Sequence, residues 1–160
     1  MLVPIHELPP QTRVWIYAAT QPLTDEQARD IRGLLLRFVD QWTSHNHQLR
    51  GSAELLHNRF LLLFVDESSA GASGCSIDAS VRFMKQIEET YGVDLFDRLH
   101  FTYSEGSTVH TVPREEFEQL YAAGRITDQT PVFDTLVATK ADLERGFIKP
   151  LAESWHRRMV

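Results

Sequence analysis

Phe60-Leu61-Leu62-Leu63-Phe64-Val65-Asp66-Glu67-Ser68-Ser69-Ala70-Gly71-Ala72-Ser73-Gly74-Cys75-Ser76-Ile77-Asp78 runs from a continuous apolar stretch, through small and acidic residues, into an amphipathic one. The first six residues have strand length and no polar alternation, which fits a central strand. Ile77, Val81, Met84, Ile87 and Tyr91 then recur at helical spacing. The segment therefore reads as strand, loop and helix start. It also holds the only cysteine of the chain at the point where helix N–H groups have no intrahelical partner.

Upstream, Val14-Trp15-Ile16-Tyr17-Ala18 is rich in β-formers and follows an irregular arm, Met1 to Thr12, with three prolines. Thr24 with Gln27 three residues on has capping-box spacing, and Ala28, Ile31, Leu35, Phe38 and Trp42 continue at steps of three and four. Thr43 to Gln48 reads as a polar loop. Leu49 to Leu56 reads as a strand that turns at His57-Asn58-Arg59 into the apolar run. With Leu99-His100-Phe101-Thr102-Tyr103 as a further strand, the order becomes β-α-β-β-α-β.

That order predicts an α+β fold with a ferredoxin-like core over residues 1–103, two helices lying on one face of an antiparallel sheet. Residues 104–160 read as a β-α extension packed as one unit with the core. It comprises a hairpin turn at Ser104-Glu105-Gly106-Ser107, a helix opened by Pro113 and stopped by Gly124, and a short strand at Val132-Phe133. A helix start bracketed by Thr139 and Asp142 follows, then a last helix, Leu151–Met159, behind Pro150. The basic cluster His156-Arg157-Arg158 complements the end of that helix.

The 160 residues fit one domain able to bury a core, and a formal charge of −6 argues against general nucleic-acid binding, which needs a basic face. A single cysteine forms no internal disulfide. Met1 to Pro10 lacks the features of a signal peptide, and no run is long enough for a membrane span, so the expected setting is the cytoplasm.

Two resemblances extend this reading. Val14-Trp15-Ile16-Tyr17, Ala72-Ser73-Gly74-Cys75-Ser76-Ile77-Asp78, Leu95-Phe96-Asp97-Arg98 and Glu153-Ser154-Trp155 together resemble an uncharacterised bacterial family of about this length, over nearly the whole chain. Its members often carry the label "ABC transporter ATPase". Such an ATPase needs a glycine-rich loop ending in Gly-Lys-Ser/Thr to cradle phosphate and magnesium, and the chain contains no Gly-Lys pair. Phe101-Thr102-Tyr103, Gly106, Glu115-Glu116-Phe117, Leu120, Gly124-Arg125-Ile126-Thr127, Thr130 and Val132-Phe133 resemble the strand–turn–helix pattern of GYF-type modules. That resemblance, over residues 101–133, implies an adaptor that binds proline-rich peptides, although the Gly-Tyr-Phe signature is absent.

Function divides into two readings. In the first, a binding or adaptor protein uses the Ser68–Ser76 loop and helix start, with Ser73, Gly74, Cys75 and Ser76 and with Arg98, for a small anion or partner segment. In the second, Cys75 is a nucleophile and one of His45, His47, His57, His100 or His110 is its base. The bland alternative for Cys75 is a small, half-buried helix-start residue. Asp66, Glu67 and Asp78 suit a hard cation only if they converge, and otherwise read as solvated strand-end and helix-start acids. His45-Asn46-His47 lacks the ββα context of the nuclease motif it spells and reads as an exposed loop. Asp97-Arg98 is either an internal ion pair or an Arg aimed at an anion, and Trp15, Trp42 and Trp155 read as core. No motif names a cofactor.

Overall fold

The computed structural model describes residues 1–68 and 70–160, so Ser69 of the predicted loop lies outside the described residues. In chain order the elements are β1 (Arg13–Ala18), α1 (Asp25–Gln41), β2 (Thr43–Ser44), β3 (His47–Gln48), β4 (Arg50–Leu56) and β5 (Phe60–Asp66). They are followed by α2 (Gly74–Tyr91), β6 (His100–Glu105), β7 (Thr108–Pro113), α3 (Arg114–Ala122), β8 (Pro131–Phe133), α4 (Lys140–Gly146) and β9 (Ile148–Pro150). The fold is mixed α and β with antiparallel sheets.

β5 is the middle strand of a sheet ordered β1-β5-β4, antiparallel to both neighbours. Strand alternation splits its apolar run in two. Leu61, Leu63 and Val65 join the core formed with α1 and α2, while Phe60, Leu62 and Phe64 join a second core with Val3, Leu8, Phe133 and Phe147. Covered on both faces, the strand has no polar positions to alternate, and each of its seven residues is buried. The hairpin between β4 and β5 turns on His57 and Asn58, both at positive φ, 55° and 54°, the left-handed pair of a two-residue turn.

α1 begins with the predicted capping box: Gln27 N–H donates to Thr24 Oγ1 at 3.1 Å, and Thr24 N–H donates to Gln27 Oε1 at 3.1 Å. The buried stripe of α2 differs from the expected one. Ser76, Ser80, Met84 and Ile87 face the sheet, and Ile77 and Val81 are half-buried. Small hydroxyl residues fit there because Trp42 fills the space beside them, its Nε1–H donating to Ser76 O at 2.9 Å. Thr43–Gln48 forms a miniature β2–β3 hairpin whose tip, His45-Asn46, takes positive φ.

The ferredoxin-like sheet requires its fourth strand beside β1. β6, the expected fourth strand, instead sits inside a second sheet ordered β7-β6-β8-β9, with Phe101, Tyr103, Phe117, Ile126, Val132 and Leu151 as a separate core. The physical reason is competition between partners. β7 follows β6 through a two-residue turn with Gly106 at φ 62°, and six residue pairs zip along that hairpin. The extension therefore begins with β6 itself, and the boundary after Tyr103 falls inside a strand. β9 is a further strand that sequence reading missed. The expected Leu151–Met159 helix is two short 3₁₀ turns, Leu151–Glu153 and Trp155–Met159, broken at Ser154. His156 is accordingly buried, and only Arg157 and Arg158 of the basic cluster are exposed.

The edges of the first sheet are partly closed by the chain. On β4, Gly51 N–H donates to Met1 O at 3.1 Å and Gly51 O accepts from Val3 N–H at 2.8 Å. A Cβ at Gly51 would press on the Phe64 carbonyl oxygen, well inside contact distance. Gly51→Ala is expected to cost about 1–3 kcal/mol, the range of overpacking, read as a lower urea midpoint with an unchanged slope. On β1, Val14 N–H donates to Ala138 O at 2.9 Å and Thr12 O accepts from Lys140 N–H at 2.8 Å. Beyond the end of β1, Thr20 N–H donates to Asp94 O at 3.3 Å. Between those clamps the strand edge has no strand beside it among the described residues. Among the described residues no helix is long and apolar enough to cross a membrane.

Candidate functional site

The missing β1–β6 pairing leaves a cleft of about 470 Å³ between the two sheets. Ile16 to Ala19 form one wall, Phe101, Thr102 and Thr111 another, and Phe96, Leu136 and Trp155 close it with apolar surface. Its size and mainly apolar lining match those of small-ligand sites, roughly 300–1,000 Å³. Thr102 and Thr111 turn their polarity on each other, their hydroxyls hydrogen-bonded at 2.9 Å.

Arg98 lines this cleft, is exposed, and has no ion-pair partner among the described residues. Its neighbour does not neutralise it. Asp97 Oδ1 accepts the Leu99 N–H at 2.7 Å and lies 3.0 Å from His100 Nδ1. The His100 ring, followed by the Leu99 N–H, holds the Asp97 carboxyl below its ordinary range. Of the two readings of Asp97-Arg98, the internal pair is thus not the one that forms: the carboxylate turns to His100 and leaves the guanidinium unpaired.

The floor of the cleft is held by a polar cluster under Trp155. Asp134 accepts from Trp155 Nε1 at 2.9 Å, from Leu136 N–H at 2.9 Å and from Lys149 Nζ at 2.7 Å. Burial alone would raise the Asp134 carboxyl, but the Lys149 hydrogen bond, with those from Leu136 and Trp155, outweighs it and lowers it. His156 stacks on Trp155 at 3.8 Å between centroids, and its Nδ1 lies 2.7 Å from Ser154 Oγ.

The Cys75 region forms a different cleft, also of about 470 Å³, lined by Phe38, Trp42, His45, Ser73, Cys75 and Ser76 among others. Ser73, Cys75 and Ser76 thus come together, while Gly74 does not line this cleft and Arg98 belongs to the other one. Ser73 is the N-cap of α2. Ser76 N–H donates to Ser73 Oγ at 3.2 Å, and Ser73 N–H donates to Ser76 Oγ at 2.7 Å. This capping box commits both serines to the helix start itself and leaves the Gly74 and Cys75 N–H groups as its remaining donors.

Cys75 is exposed, against the half-buried alternative, and of the five candidate bases only His45 lines its cleft. Iodoacetamide is expected to alkylate Cys75 fully in the folded protein, and a mass shift seen only after denaturation would contradict this placement. Asp66 and Glu67 are occupied elsewhere. Asp66 accepts from the Ser68 hydroxyl at 2.6 Å and pairs with Arg50 at 3.4 Å, and Glu67 pairs with Arg13 at 3.6 Å. Asp78 is exposed in the first turns of α2.

Sequence reading singled out Arg98 by its charge but missed Ile16, Ala18, Leu136 and Trp155, the residues that make its surroundings a cleft. Trp15 and Trp42 meet edge to face at 5.9 Å over the α1 side of the sheet. The core reading of the tryptophans holds most fully for Trp42, which is 3% exposed. No family model, no curated protein and no solved structure matches the chain.

Proposed function

We propose that this chain is a non-catalytic binding or adaptor protein whose ligand occupies the cleft between β1 and β6. One observation carries the reading: Arg98, without an ion-pair partner among the described residues, lines a mainly apolar cleft in which the one carboxylate of the lining, Asp97, lies against His100. A guanidinium offers two parallel donors to a carboxylate or phosphate, while the apolar walls hold whatever that anion is attached to. The Gly74 and Cys75 N–H groups offer a second, shallower contact for a small anion at the Ser68–Ser76 loop. The order of β6, β7 and α3 supports a relation to GYF-type modules, and so an adaptor role. The cytoplasm suits an exposed lone thiol, and the charge of −6 speaks against nucleic acid as the general partner.

The test is a titration of the isotopically labelled chain with 3-phenylpropionate, followed by amide shifts. Saturable shifts at Ala18, Phe96, Leu136 and Trp155, lost in Arg98→Met, are expected. Shifts confined to Ser73–Ser76, or no shifts at all, would refute the cleft as the ligand site.

A second reading rests on the shared cleft of His45 and Cys75, which supports a thiol-dependent enzyme with Cys75 as nucleophile and His45 as base. An activity-directed acylating probe would label Cys75 and lose that labelling in His45→Ala if this reading holds. Labelling indifferent to His45 would remove it.

A further inference from the structure

We propose that the cleft receives an extended peptide segment of a partner protein as an added strand on β1, with a carboxylate of that segment paired to Arg98. The inference rests on the cleft being the ligand site and adds the mode of binding.

The backbone carries the argument. Along an antiparallel strand, the N–H and C=O of one residue point to the same side, and successive residues alternate. Val14 N–H and Thr12 C=O bond outward to the Ala138–Lys140 segment, Thr20 N–H bonds outward to Asp94, and Ala19 N–H bonds inward to Arg59 O. Even-numbered residues therefore face away from β5. Ile16 and Ala18 must direct their N–H and C=O groups toward the cleft, where the sheet supplies no strand to receive them.

A short window of unpaired edge, clamped at both ends, is thus presented to a cleft with apolar walls. Unpaired edge groups are the template for strand addition, main-chain bonds giving affinity and alternate side-chain pockets giving selectivity. β6 cannot fill the window, because it is already flanked by β7 and β8.

The surroundings favour a protein segment over a free small molecule. Leu136, which lines the cleft, is 67% exposed. A ligand held wholly inside the cleft would leave that side chain in water, whereas a chain crossing the mouth covers it. Charge sets the rest. Arg98 has no ion-pair partner among the described residues and Asp97 is engaged by His100, so the mouth attracts a carboxylate despite the acidic total. The segment needs an N–H at the positions facing Ile16 and Ala18, which excludes proline there.

The experiment selects random linear peptides, displayed on phage, against the full chain, then scans the best synthetic peptide by N-methylation. Alternation is the predicted signature. N-methylation at every second residue weakens binding about tenfold or more, and at the intervening residues has little effect. Arg98→Glu is expected to abolish binding, and replacing the peptide's carboxylate by lysine to restore it on that variant. Binding that depends on Arg98 and shifts the cleft amides but lacks the alternation overturns strand addition and leaves the cleft reading standing. Shifts outside the cleft overturn both. Self-association of the chain that Arg98→Glu abolishes, with no peptide selected, replaces the partner segment by a second copy and overturns the proposal.

Discussion

Phe60→Ala is expected to cost about 3–5 kcal/mol of folding stability, the usual range for a buried phenylalanine. Phe60 is fully buried at the start of the central strand. Its ring stacks on Phe133 at 5.3 Å and meets Phe147 edge to face at 5.1 Å, so it joins the first sheet to β8 and to the residue after α4. Deleting it removes transfer energy and leaves a cavity whose walls come from both halves of the chain, which limits how far the site can collapse. Urea unfolding should show the loss as one shifted cooperative transition. A variant with two separate transitions would mean that the halves fold independently and that the aromatic cluster does not couple them.

The second large effect is set by pH. Burial pushes His156 down from 6.5 to about 4, with Asp134 opposing the shift and Lys149 adding to it. Between those values the unfolded chain takes up a proton that the folded chain refuses, so stability falls as pH drops. The slope is about 1.4 kcal/mol per pH unit and the total about 3 kcal/mol. Above pH 6.5 both states are neutral at this site and the contribution is level. Asp134 is also held below its ordinary value of 3.8 in the fold, the usual direction for a hydrogen-bonded carboxylate, so its stabilisation is present above 3.8 and is lost as pH falls through its folded value. Two windows follow, His156 first and Asp134 below it. His156→Gln should flatten the stability profile between pH 6.5 and 4 in urea melts. An unchanged slope in that variant would show that the ring is not the titrating group.

Much of the first sheet was legible because its signals are local. Thr24 and Gln27 sit at the spacing a capping box needs, His57-Asn58 tolerates the left-handed turn it makes, and the unbroken Phe60–Val65 run fits the central strand it forms. β6 was legible as a strand but not as a member of a particular sheet. The alternation of Phe101 and Tyr103 suits an edge beside β1 as well as a hairpin with β7, and only the competition between those pairings decides. β9 escaped because Ile148-Lys149-Pro150 is too short for a period to show. For the candidate site, Arg98 could be picked out by chemistry alone. The outward edge of Ile16 and Ala18 has no side-chain signature, since it is a property of backbone parity and of a strand that pairs elsewhere. The Cys75 loop drew attention through composition, and the capping box that occupies Ser73 and Ser76 follows from a spacing of three already present in the sequence.

The most direct measurement is amide hydrogen exchange along β1. If the cleft stands where a fourth strand would pair, protection alternates: Trp15 and Tyr17, bonded to β5, exchange slowly, and Ile16 and Ala18 exchange much faster. Uniform protection from Trp15 to Ala18 would place a strand against that edge and contradict the account.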